Sequence, residues 1–364
     1  MLRASPIACA VLLLAVGAGC DDELVPLGTT KPERPPVEPP PIFVEQCESI
    51  SADESNVVPR ALIVLDRSGS MNDVEPAFLD SRWNTVVDAV KTMTSAHEAV
   101  LGFGLMLFPS PRSVDFCAPG EVIVPPGVNN AAQIASVFDF TSANGATPTA
   151  SSLRAARDFL AADAGTTPTA VVLATDGGPN CNPFLDIETC ECVVEGACAL
   201  ANPQPANEIC LDDVATVEAA EELQAAGIST YVIGIPGSEN FSGVLNRIAI
   251  AGGTARTSDG SGQRYYPAND ATALADSLDA VRIRVERCQR VVEVNLAEAV
   301  SIAVSLDGQP LSRDTTRNEG YDITGTNKIE LFGEACDRAV ADELPVDVDI
   351  CRLVPEESAV ALNP

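Results

Sequence analysis

The sequence predicts a doubly wound, mostly parallel α/β sheet flanked by helices, followed by a small C-terminal all-β appendage. Three observations predict it. The runs Ala61-Leu-Ile-Val-Leu and Val171-Val-Leu-Ala-Thr are apolar throughout and stop abruptly at Asp66 and Asp176, as a strand buried on both faces does where it leaves a parallel sheet. Between residues 57 and 288 such runs alternate with segments of helical period, the pattern of a sheet wound with crossover helices. After Cys288 the helical period ends and only short β-type runs remain.

The elements follow in order. Residues 1–20 read as an export signal. Arg3 supplies the positive region, and Ala8 to Val16 form an apolar stretch too short to span a bilayer. The stretch ends in Val16-Gly-Ala-Gly-Cys20, which resembles the lipobox of bacterial lipoproteins. By that resemblance Cys20 is acylated and becomes the first mature residue; the alternative is ordinary secretion with cleavage nearby. Acyl chains anchor a protein because each buried methylene contributes about 0.8 kcal/mol. Residues 21–46 read as a linker, in which Lys31-Pro-Glu-Arg-Pro-Pro-Val-Glu-Pro-Pro-Pro41 favours extended polyproline backbone and acts as a spacer.

Val57 to Leu65 is expected as the first strand and Arg82 to Glu98 as a helix, with Val86, Val87, Val90 and Met93 on one face. Val100 to Phe108 is the second buried strand, and Val122 to Val124 an edge strand between glycine and prolines. Ala150 to Ala162 is helical, and Thr169 to Ala174 is the fourth strand. Val214 to Ala226 forms a helix closed by Gly227. Ile228 to Ile235 is the fifth strand, Phe241 to Ala251 a helix, Arg264 to Tyr266 a short sixth strand, and Asp270 to Glu286 the last helix. In residues 289–364 the β-type runs are Val291–Asn295, Ser301–Leu306, Lys328–Leu331 and Val346–Ile350, with a turn at Asp307-Gly308.

Five oxygen-bearing side chains lie in three loops of the larger unit: Asp66, Ser68 and Ser70 after the first strand, Thr147 in Asn144-Gly-Ala-Thr-Pro-Thr149, and Asp176 before Gly177. In an open α/β sheet, ligands bind beyond the carboxyl ends of the strands. Two carboxylates and three hydroxyls offer hard oxygen ligands, which suit Mg2+, Mn2+ or Ca2+ rather than zinc or copper. Asp-x-Ser-x-Ser, a threonine in a middle loop and Asp-Gly after the fourth strand together resemble the metal-ion-dependent adhesion site of von Willebrand factor A domains. The resemblance covers residues 57–288. It implies a Rossmann-like fold and a divalent ion on Asp66, Ser68, Ser70, Thr147 and Asp176. It also implies a coordination position open to an Asp or Glu carboxylate of a protein partner.

Twelve cysteines in an exported chain imply disulfides. Cys9 leaves with the signal and Cys20 is the lipid site. Residues 178–212 form an insertion rich in Cys, Pro and Asn, with too few apolar residues to fold without staples. Cys117 is expected to pair with one of Cys181, Cys190, Cys192, Cys198 and Cys210, all on the metal face. A zinc site from the insertion's thiolates is the rival. Cys47–Cys288 is expected because the first strand starts and the last helix ends on one face, and several A domains resemble this arrangement. Cys336–Cys351 is expected as a local pair.

A net charge of −30 repels nucleic acid and anionic membrane surfaces. No nucleophile elbow, phosphate loop or paired metal-ligand histidines occur, and the single histidine, His97, falls late in a helix leading away from the metal face. The expected function is therefore a cell-envelope lipoprotein binding a protein partner through a divalent metal, and not an enzyme. A structural envelope protein with a vestigial metal site is the alternative, and a metal-dependent hydrolase is a more remote one.

Overall fold

The computed structural model describes residues 41–52, 57–162, 166–194, 209–256 and 260–356. From Phe43 onward the chain forms one compact unit. It opens with β1 (Phe43–Ser51) and β2 (Arg60–Asp66), then a two-residue ribbon of β3 (Val74–Glu75) and β4 (Asp80–Ser81). Helix α1 (Arg82–His97) follows, then β5 (Gly102–Phe108), β6 (Glu121–Gly127), α2 (Ala131–Phe138) and α3 (Thr149–Leu160). Next come β7 (Thr169–Thr175), α4 (Asp213–Ala225), β8 (Ser229–Gly234), α5 (Ser242–Ala251), β9 (Tyr266–Pro267) and α6 (Ala271–Cys288). The remainder comprises β10 (Gln289–Val291), β11 (Ser301–Leu306), β12 (Gln309–Leu311), β13 (Gly320–Ile323), β14 (Lys328–Phe332), α7 (Gly333–Ala341) and β15 (Val346–Pro355).

The main sheet has the order β6-β5-β2-β7-β8-β9 and is parallel except for the edge strand β6. Its strands are apolar on both faces because helices cover both. Ala61, Ile63 and Leu65 face one core with α1, α2 and α6, while Leu62 and Val64 face the other with α3, α4 and α5. The helix starts are capped locally: Ser81 accepts from the Asn84 amide at the start of α1, and Asp270 from the Ala273 amide at the start of α6. Since β2 and β7 run side by side, their carboxyl ends bring Asp66 and Asp176 to one edge of the sheet.

A third core belongs to the appendage, which consists of a sheet β1-β15-β11-β12, a sheet β10-β14-β13 and the nine-residue helix α7. Helix α7 was not among the expected elements, since Gly333–Ala341 is short. The turn between β11 and β12 is as read: Asp307 and Gly308 both hold positive φ in a two-residue hairpin. The appendage docks beneath the amino ends of the main strands. Gln289 donates to Glu330 (3.0 Å) and to the Thr169 carbonyl at the start of β7 (3.4 Å), and Lys328 donates to the Gly227 carbonyl just before β8.

Two expectations are corrected here. The linker does not extend to residue 46, because Phe43 already begins a strand that pairs with β15 over its whole length. The disulfides Cys47–Cys288 and Cys336–Cys351 are replaced by Cys47–Cys351 and Cys288–Cys336. The cause is register. Antiparallel pairing of β1 with β15 sets Cys47 directly opposite Cys351, with Cα atoms 4.0 Å apart, and α6 packs against α7, bringing Cys288 to Cys336 with Cα atoms 5.3 Å apart. Both separations are near the span a disulfide bridges. Cys117 is bonded to Cys181 of the insertion; within the insertion Cys190 is bonded to Cys210, and Cys192 is also disulfide-bonded. Cys20 and Cys198 lie outside the described residues. Among the described residues no helix is long and apolar enough to cross a membrane.

Candidate functional site

Asp66 ends β2 and is fully buried. Its Oδ1 accepts the Ser68 amide (2.7 Å) and its Oδ2 the Thr175 hydroxyl (2.6 Å), so the carboxylate is pinned between the first loop and the end of β7. The Ser68 and Ser70 hydroxyls lie 3.1 Å apart, and Ser70 donates to Asp176 Oδ1 at 2.9 Å. Four of the five expected ligands thus form one hydrogen-bonded chain across two loops.

Thr147 reaches the same place from the third loop. Asn180 clasps it from both sides, accepting the Thr147 amide on its side-chain oxygen (2.7 Å) and donating its own amide to the Thr147 carbonyl (2.9 Å). The loops are also laced by backbone: Gly69 donates to Gly145 (2.9 Å), Arg67 to Phe108 (2.8 Å) and Ala146 to Phe116 (3.1 Å). Gly177 gives the clearest sign of a cradle. A Cβ there would lie 3.9 Å from both the Ser70 and the Thr147 hydroxyls, so the first and the threonine loop approach the same point beside Asp176. The five side chains offer only oxygen atoms, a donor set that suits a hard divalent cation such as Mg2+ or Mn2+.

Electrostatics favours a cation too. Burial, and then the Asp176 charge, push Asp66 up to about 7 against the hydrogen bonds from Thr175 and Ser68. Burial also raises Asp176, opposed chiefly by its hydrogen bond from Arg82. Arg82, the first residue of α1, places Nη1 2.7 Å from Asp176 Oδ2 and 3.4 Å from the Ser70 carbonyl. It also lies 3.6 Å from the carboxylates of Asp73 and Glu75. A guanidinium therefore already stands beside one of the two carboxylates.

In front of these groups opens a cleft of about 590 Å³, lined by Ser68, Ser70, Thr147, Asp176 and Arg82 with Phe116, Val193, Val194 and Phe241 at its sides. A second cleft of about 630 Å³ lies between α1 and α6 and contains His97, which sits 3.8 Å from Asp279. His97 and Arg82 are at opposite ends of a 16-residue helix, roughly 20 Å apart. Glu45 approaches Cys47 and Cys351, but both sulfurs are committed to their disulfide.

Sequence reading missed Arg82, Thr175, Asn180 and Phe116. Thr175 and Asn180 flank Asp176 closely enough in sequence to be noticed. Arg82 acts on a residue 94 positions away and carries no local signal.

Residues 61–179 match the model of the von Willebrand factor type A domain, a span containing all five candidate ligands and ending as the insertion begins. The mostly parallel sheet with helices on both faces is that fold. No curated protein sequence matches the chain. Among solved structures it is similar to the pilus adhesin SpaC of Lactobacillus rhamnosus GG, at 16% identity and a TM-score of 0.44, covering 82% of this chain and 39% of SpaC. It is similar to the minor pilin PilB of Streptococcus sanguinis at 15% identity and a TM-score of 0.45, covering 64% of this chain and 62% of PilB. The vWF domain of the type V pili tip protein Mfa5 of Porphyromonas gingivalis gives 13% identity and a TM-score of 0.43, covering 64% and 98%. The chain thus spans less than two thirds of SpaC or PilB.

Proposed function

We propose that this cleft holds one divalent cation, Mg2+ or Mn2+ (or Ca2+), on Asp66, Ser68, Ser70, Thr147 and Asp176, and that through it the protein binds an Asp or Glu carboxylate of a protein partner. The observation that supports the reading is the clustering of oxygens from three loops: the buried carboxylates of Asp66 and Asp176, the hydroxyls of Ser68 and Ser70 hydrogen-bonded between them, and the Thr147 hydroxyl, which like that of Ser70 lies 3.9 Å from the position of a Cβ at Gly177. A bound ion supplies an electrophilic position for an incoming carboxylate. The chain's own residues do the rest. Asp66 and Asp176 balance the ion's charge, the neutral hydroxyls of Ser68, Ser70 and Thr147 leave it electrophilic, and Asn180 fixes the Thr147 loop.

The wider setting in this reading is the cell envelope, with Cys20 acylated and the proline-rich spacer carrying the binding unit away from the membrane. The described disulfides support an oxidising compartment. Mass spectrometry of the mature N-terminus tests the anchor; a first residue other than Cys20, without acyl mass, rejects it.

Arg82 favours a second reading, a structural envelope protein whose vestigial site uses the guanidinium in place of a metal. Calorimetry separates the two. One Mg2+ or Mn2+ per chain is expected for the wild type, with binding abolished in Asp66→Ala and sharply weakened in Ser70→Ala. Equal binding by wild type and both variants, or none by any, overturns the metal-centred reading.

A further inference from the structure

We propose that the acidic residue received at this site belongs to a peptide segment in which its immediate neighbour is aromatic or branched aliphatic, and that Phe116 is the main determinant of that preference. The inference rests on the metal-centred reading above and adds the chemistry of the partner.

Phe116 is half-exposed, at 53%, on a backbone that is held in place. Its carbonyl accepts the Ala146 amide of the threonine loop at 3.1 Å, and the next residue, Cys117, is bonded to Cys181. Cys181 in turn follows Asn180, the residue that clasps Thr147 on both sides. The ring is thus carried on a frame tied twice to the candidate ligands. On another side of the cleft the Phe241 ring lies against the Asp176 loop so closely that a Cβ at Gly178 would come within 2.5 Å of it. Val194, 64% exposed, adds an apolar side chain from the insertion, and its neighbour Val193 is hydrogen-bonded to the Ile209 carbonyl at 2.9 Å.

An exposed aromatic has only two side-chain torsions to order, and on a backbone held before binding it loses little further entropy on contact, which makes it an efficient anchor. A cleft of about 590 Å³ has room for a side chain beside the carboxylate. Charge points the same way. A chain of net charge −30 disfavours a partner segment with several acids. A single carboxylate with apolar rather than acidic neighbours is the complement of a floor that holds a cation and Arg82 between apolar sides.

Selection of random seven-residue peptides displayed on phage, against the full oxidised chain in Mg2+ and again in chelator, tests this. The wild-type pool is expected to contain Asp or Glu beside Phe, Tyr, Trp, Leu, Ile or Val, and to vanish with chelator. Phe116→Ser should bind Mg2+ as the wild type does while binding the selected peptide roughly tenfold more weakly, the loss expected when an anchoring aromatic is truncated. Val194→Ser provides a second variant with a smaller loss in the same direction. A chelator-sensitive acidic pool without apolar neighbours, an empty pool, or full peptide affinity in both variants overturns the proposal. A pool that contains no acids and ignores the chelator overturns the metal-centred reading itself.

Discussion

Asp176 lines the cleft and Asp66 lies buried beside it, and burial together with the charge of Asp176 makes it costly to ionise both. In the metal-free protein Asp66 is raised from 3.8 to about 7, and Asp176 is raised in the same direction. Between about pH 4 and 7 the folded chain therefore keeps a proton that the unfolded chain has released. The resulting stability is fully present below about pH 4 and is lost as pH rises through about 7. A divalent ion binds the ionised form, so its stabilisation grows as pH rises through the same window. In chelator, the melting temperature of the wild type should fall from pH 5 to pH 8 relative to that of Asp66→Asn, which lacks the titration. Saturating Mg2+ should remove or reverse the difference in slope. Identical slopes for the two proteins in chelator would mean that Asp66 is not raised. Of the five candidate ligands, Asp66, Ser68, Ser70 and Asp176 stood out in the sequence because they lie at or just after the end of an apolar run, whereas Thr147 was singled out only by the family resemblance. Arg82 did not stand out, because its effect depends on α1 starting beside a loop far along the chain.

At the level of elements, legibility followed burial. Strands β2, β5, β7 and β8 are covered on both faces, so their central residues are apolar and they could be read directly. Strand β1 has mostly exposed or half-exposed residues and follows a proline run, so nothing in its sequence distinguished it from linker. Helix α2 is only eight residues long, too short for its helical period to stand out in the sequence despite Asn130 at its start. The insertion was legible as a stapled segment, but its staples differ in what they hold. Cys117–Cys181 joins the Phe116 loop to the Asn180 loop that fixes Thr147, whereas Cys190–Cys210 closes the insertion on itself. The chain-entropy model assigns the two bridges about 4 and about 3 kcal/mol as upper figures. Replacing Cys117 and Cys181 together with Ser should lower stability toward that limit and also weaken Mg2+ binding several-fold in calorimetry. Replacing Cys190 and Cys210 should lower stability while leaving Mg2+ affinity close to wild type. Equal effects of the two pairs on affinity would show that the Phe116 frame does not brace the site.

Across the whole molecule, both ends of the described chain meet in the appendage, and the appendage joins the main sheet at the amino ends of its strands, away from the carboxyl ends that carry the cleft. Strand β1 is held along its length by β15, and the next strand, β2, is the one that ends at Asp66. This closure was invisible in the sequence because it depends on register between strands some three hundred residues apart. Cys47–Cys351 spans a separation of 304 residues, for which chain entropy gives roughly 5 to 6 kcal/mol as an upper figure. The other bridges shorten the effective loop, but the dependence is logarithmic and the figure changes little. The appendage has its own core, including Val304, Val348 and Ile350, separate from the two cores of the main sheet. Loss of the bridge should therefore act first where it is anchored. In hydrogen exchange, Cys47→Ser with Cys351→Ser should deprotect amides of β1, β11 and β15, while β2 and β7 stay protected and Mg2+ affinity is unchanged. A uniform loss of protection reaching β2 and β7, with weaker Mg2+ binding, would show instead that the appendage and the main sheet unfold as one cooperative unit.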